Sequence, residues 1–122
     1  MVDSLPLPGL VEYCEQLHMD GPEINNYFMT KLLPFDLESY GTVVLGCTHY
    51  PFYRKVLKEI FPSDIQIVDG SVGTVNRLKQ LLANKDQLQG RGNSSVKFLC
   101  SNDDQTYLKK MELALQIIKS KG

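Results

Sequence analysis

Three times along the chain a short β-branched or apolar run gives way to a segment of helical period, and this alternation limits the folds open to it. Residues 42–46, "TVVLG", precede a segment at 51–61 with Phe52, Val56, Leu57, Ile60 and Phe61 on one side. Residues 65–68, "IQIV", precede one near 72–83 carrying Val72, Val75, Leu78 and Leu82. Residues 96–100, "VKFLC", precede a long one from about 103 to 119 with Tyr107, Leu108, Met111, Leu115 and Ile118. A βαβαβα series of this kind predicts a parallel sheet flanked by helices, because parallel neighbours need crossover connections. The run at 42–46 has the composition of a strand buried on both faces.

Upstream, Leu7, Leu10, Val11, Cys14 and Leu17 recur at three- and four-residue spacing. Gly21 and Pro22 then interrupt before "EINNYFMTKLL" resumes the pattern, which predicts two short helices joined by a turn at Met19 to Pro22. "QGRGNSS" has loop composition, and no internal repeat or low-complexity tract is present. The 122 residues, 43% hydrophobic and 22% charged, are expected to form a single α/β unit, 1–122.

Thirteen basic residues nearly balance fourteen acidic ones, and they are dispersed, so nucleic acid is not the expected partner. No basic leader opens the chain and no eighteen apolar residues run together, so no membrane association is expected and the chain reads as cytoplasmic. Cys14, Cys47 and Cys100 are odd in number and far apart, which argues against a disulfide framework. They also offer no tight second pair to join Cys47 and His49 in a four-ligand zinc site, so no metal is expected.

In open α/β sheets ligands bind beyond the carboxyl ends of the strands. That places Cys47-Thr48-His49, Asp69-Gly70-Ser71 and Ser101-Asn102-Asp103 at the expected functional edge. At Cys47, unpaired amides at the start of the next helix favour the thiolate. Pro51 suits the first helical position, Thr48 adds a hydroxyl and an amide, and His49 titrates near neutrality. The competing interpretation is packing, since a cysteine after a β-branched run is more often a small buried residue than a nucleophile. Cys14, one helical turn from His18, and Cys100, ahead of a capping sequence, are read as core. Asp69-Gly70-Ser71 is a turn with a cap or an anion-binding loop. There is no GxGxxG, GxxxxGK[ST] or GxSxG, so nucleotide-binding and hydrolase motifs are absent.

"LGCTHYPF" at 45–52, followed by "IVDGSVGTVNRLKQLL" at 67–82, resembles glutamate racemase, a cofactor-independent amino-acid racemase of bacterial cell-wall synthesis. Gly46-Cys47-Thr48-His49-Tyr50-Pro51 carries the specific part. Related aspartate-type racemases share a strand-end cysteine but typically lack His-Tyr-Pro. The resemblance implies a two-domain α/β racemase fold, no cofactor, and glutamate as substrate. It further implies two thiols on opposite faces of the substrate, one removing the α-proton and the other returning one. Cys47 would be the second of these, with Thr48 and His49 as substrate contacts and His49 assisting the thiol. Glu12, in "GLVEYCE", lines up with a family glutamate that assists the same cysteine.

The family's first cysteine, in an Ala-Cys-Asn-Thr segment, and its Asp-Ser-Gly loop match nothing here. The chain therefore resembles the C-terminal half of a racemase, and is expected to be inactive alone and prone to self-association. The alternatives are a non-catalytic module that binds a small anion or a partner segment, and part of an aspartate-type racemase.

Overall fold

The computed structural model describes residues 2–88 and 95–121. Helices α1 (Pro8–Glu15) and α2 (Pro22–Leu32) come first, and strand β1 (Thr42–Val44) follows. A 3-10 turn (Tyr50–Tyr53) runs into α3 (Arg54–Ile60), then come β2 (Gln66–Val68), α4 (Ser71–Ala83) and α5 (Gln105–Lys121). β1 and β2 pair in parallel, with Thr42 opposite Gln66, Val43 opposite Ile67 and Val44 opposite Val68. The α/β class expected from the alternation holds, with α3 as the crossover that a parallel pair requires.

The details depart from expectation in three places. Residues 95–100 form no helix or strand, so two strands pair among the described residues rather than three. Val96 and Leu99 there are exposed, and a β-branched run without a neighbouring strand edge makes no ladder. β1 is also not buried on both faces: Leu45, just past it, is buried, whereas Val44 is 71% exposed. Finally α4 forms where expected, yet Val72, Val75, Leu78 and Leu81 are all exposed. A helical period establishes an apolar stripe, not what covers it.

α1 and α2 each carry proline in the first turn, where its missing N–H costs nothing. α1 ends in a tight paired closure: Leu17 N–H donates to the Cys14 carbonyl at 2.9 Å, and His18 N–H to the Tyr13 carbonyl at 2.9 Å. Leu17 adopts φ 64° to make it, a left-handed position usually taken by glycine. Gly21, just ahead of α2, also has a positive φ, 100°.

The core lies where α1, α2 and the start of α3 meet the end of β1. Leu10, Ile24, Phe28 and Tyr53 are almost completely buried there. Phe28 meets Tyr53 edge-on, with centroids 5.9 Å apart. The Tyr53 hydroxyl lies within donating distance of two carbonyls, that of Leu10 at 2.8 Å and that of His18 at 3.0 Å. This single phenol ties the approach to α3 to the first turn of α1 and to the segment just past its end, on either side of Glu15.

α5 begins with its own cap. The Asp104 carboxylate accepts from the amides of Thr106 at 2.9 Å and Tyr107 at 3.2 Å. Ala114 and Ile117 are the α5 residues packed against the core cluster, while Ile118 of the expected stripe is exposed.

Candidate active site

Past Leu45, whose amide still bonds to the Val68 carbonyl at 2.8 Å, the chain leaves the sheet and turns through Gly46 to His49. This puts Cys47 at the carboxyl end of β1, half-buried, with Thr48 exposed and His49 half-buried beside it. The helical turn after it is first 3-10 and only from Arg54 an α-helix, so Pro51 sits in the first turn of the 3-10 segment.

The Cys47 Sγ and His49 Nδ1 atoms are 3.9 Å apart. The thiol's pKa is lowered from the ordinary value, chiefly by the backbone N–H of His49, with the His49 ring and the Tyr50 amide adding to it. Each of these groups favours the charged form, and the modest burial of the sulfur opposes them only in part.

On the other side of the ring, His49 Nε2 lies 2.8 Å from the Glu15 carboxylate. Glu15 raises the pKa of the imidazole, and Cys47 adds to the rise. The Tyr107 hydroxyl donates to the same Glu15 oxygen at 3.3 Å. Thr48 Oγ1 stands 3.5 Å from His49 Nδ1. A cavity of about 260 Å³ opens beside this group, with Cys14, Glu15, Thr48, His49, Tyr107 and Lys110 in its wall.

The other expected positions sort differently. Glu12 is exposed, and the carboxylate on His49 belongs to Glu15, three residues further along α1. Cys14 is buried in the core, and burial pushes its thiol up to about 11, so it stays protonated at neutral pH. Cys100 donates to Asn102 Oδ1 at 2.8 Å. Asp69 is tied down on three sides: it accepts from the Ser71 amide at 2.7 Å, from the Ser71 hydroxyl, and from Arg54. Arg54 also donates to the Ile67 carbonyl at 2.6 Å, so this aspartate latches α3 and the start of α4 to the end of β2. Among the described residues no three His, Cys, Asp or Glu side chains are grouped to hold a metal ion.

Sequence reasoning missed Glu15 and Tyr107. One signal was available for Glu15: an acidic residue in the last turn of a helix opposes the helix dipole and calls for a partner elsewhere. Tyr107 carried none, since its spacing placed it in the apolar stripe of α5.

The fold and the site together define a parallel α/β unit with a thiol–imidazole–carboxylate group at a strand end. No protein-family model matches the chain. It is 40% identical over 121 residues to glutamate racemase 2 of Bacillus subtilis (strain 168), covering 97% of this chain and 45% of the relative. It is 45% identical over 112 residues to glutamate racemase of Halothermothrix orenii, covering 90% of this chain and 44% of the relative. The fold is shared with two solved structures. The glutamate racemase of Francisella tularensis, in complex with D-glutamate, matches with a TM-score of 0.67 at 23% identity, over 88% of this chain and 40% of that one. The glutamate racemase of Thermus thermophilus, in complex with β-chloro-D-alanine, matches with 0.65 at 19% identity, over 85% and 41%. The expected likeness to glutamate racemase is thus borne out along nearly all of the chain, which spans about 45% of the length of the curated relatives it matches.

Proposed function

We propose that the chain is part of a cofactor-independent glutamate racemase and supplies one of its two acid–base thiols. The observation that carries this reading is the Cys47–His49 pair at 3.9 Å, placed at a strand end within the six residues that most resemble the racemases. In the forward direction the Cys47 thiolate takes the α-proton of one glutamate enantiomer, leaving a carbanion. A second thiol on the opposite face then gives its proton to that carbon, so the product is inverted. At the end Cys47 is protonated and the other sulfur is the thiolate, ready for the reverse reaction. Inversion needs two groups because a single base returns the proton to the face it left.

His49 takes up the Cys47 proton when the thiolate forms, and Thr48 and His49 face the substrate. Glu12 belongs to the same helix and stays a candidate assistant to the thiol. The second thiol comes from outside these 122 residues, which act as one α/β unit and do not racemise glutamate alone. The role is cytoplasmic, supplying D-glutamate for peptidoglycan and hence cell shape. With the α4 stripe uncovered, the isolated unit self-associates.

The test is to incubate the chain with either enantiomer in deuterated water, following α-proton exchange by NMR and inversion by optical rotation. The reading expects no inversion by the chain alone, and any exchange confined to one enantiomer and lost in Cys47→Ser. Inversion at the rate of an intact racemase would contradict the claim of dependence on a second thiol. Exchange that survives Cys47→Ser would remove Cys47 from the chemistry.

A further inference from the structure

The contacts behind the thiol–imidazole pair run further than the reaction scheme requires. Taking Cys47 as an acid–base thiol, we infer that Tyr107 and Glu15 are positioning residues, holding His49 as its Nε2–H tautomer with Nδ1 turned to the Cys47 sulfur.

An ionised carboxylate only accepts, so the 2.8 Å contact between His49 Nε2 and Glu15 requires the proton to be on Nε2. In the neutral ring Nδ1 is then the acceptor, and it faces Cys47 Sγ at 3.9 Å. The Cys47 proton can pass to Nδ1, breaking S–H and forming N–H, to leave a thiolate beside an imidazolium. Glu15 then faces the positive ring.

Glu15 needs holding in that place. It is the last residue of α1, where the exposed carbonyl ends of the helix repel a carboxylate. Tyr107 O–H donates to the same Oε1 atom that accepts from His49, and so anchors it from α5. Tyr107 is itself set by the Asp104 cap at the start of that helix. The Tyr107 pKa is raised, first of all by Glu15, as expected of a phenol facing a carboxylate. The other titratable groups around the cavity are Cys14, held neutral by burial, and Lys110.

The test uses the full chain without amino acid, so its outcome is separate from that of the glutamate exchange experiment. Iodoacetamide modification of Cys47 is followed by peptide mass spectrometry across pH, and the His49 ring nitrogens by 15N NMR. The parent is expected to show the Nε2–H tautomer. Glu15→Gln keeps the shape but loses the charge; it is expected to shift the Cys47 profile upward and slow modification near neutral pH by about tenfold, one pKa unit. Tyr107→Phe is expected to slow it by about two- to threefold and to broaden the His49 tautomer equilibrium. Glu59→Gln, on the exposed side of α3, is expected to change neither. An Nδ1–H tautomer in the parent, or a Cys47 profile unmoved by both site variants, would overturn the inference. Should Glu15→Gln fail to fold by circular dichroism, the parent tautomer and Tyr107→Phe decide it.

Discussion

Cys14 and Cys47 are the same residue in opposite surroundings, and the difference is set by neighbours rather than by chemistry of their own. Cys14 sits among apolar side chains and keeps its proton; Cys47 has amides and an imidazole around its sulfur. The contrast was partly legible in the sequence because Cys47, Thr48, His49 and Pro51 are consecutive and their relation is local. The Glu15 contact spans 34 residues and the Tyr107 contact 92, and no periodicity reports a pairing of that range. Asp69 illustrates a residue whose setting is structural. Hydrogen bonds from Ser71, first its hydroxyl and then its amide, together with Arg54, lower its pKa to about 2. A depressed carboxylate contributes stability that is present above its unfolded pKa, roughly 3.9, and is lost as pH falls through the folded value. Asp69→Asn is therefore expected to be less stable than the parent at neutral pH. In urea titrations the gap should close between roughly pH 4 and pH 2; a gap independent of pH would show that the charge is not what stabilises.

At the scale of elements, the helices were easier to foresee than their packing. The apolar spacing located α1 and α2, with Gly21 and Pro22 marking the break between them, and β-branched runs located β1 and β2. The third run, at 96–100, failed as a strand because strand formation depends on a partner edge and not on composition. Close packing sets a sharper constraint at Gly9. A Cβ there would lie 2.8 Å from Tyr27 Cε2 and 3.2 Å from Tyr27 Cζ. That ring is held edge-on by Tyr13 at 5.9 Å and Phe28 at 6.3 Å. Alanine gains about 1 kcal/mol of helix propensity over glycine, while overpacking costs about 1–3 kcal/mol. Gly9→Ala is expected to lose about 1 kcal/mol net in thermal or urea unfolding. A more stable variant would mean that the Tyr27 ring yields without cost.

For the molecule as a whole, the uneven burial of its apolar surface is as informative as its core. The core gathers α1, α2 and α3 on one side of a two-stranded sheet, while the face of α4 bearing Val75 and Leu78 stays open. Exposed stripes of this kind favour association. Sedimentation of the chain is expected to show concentration-dependent association that the double substitution Val75→Lys and Leu78→Lys suppresses. These side chains are half exposed, so the double substitution should cost little stability, about 0.5 kcal/mol per site. Association that is unchanged by it would place the contact elsewhere.

The candidate site is likewise a product of the whole chain: α1 brings Glu15, the end of β1 brings Cys47 and His49, and α5 brings Tyr107. The central claim is that this assembly makes Cys47 a reactive thiol. The most direct measurement is the rate of iodoacetamide modification at each cysteine of the native chain near neutral pH, resolved by peptide mass spectrometry. Cys47 is expected to react faster than a free model thiol and far faster than Cys14, with the advantage over the model thiol lost on unfolding. Modification of Cys47 no faster than the model thiol would contradict the account.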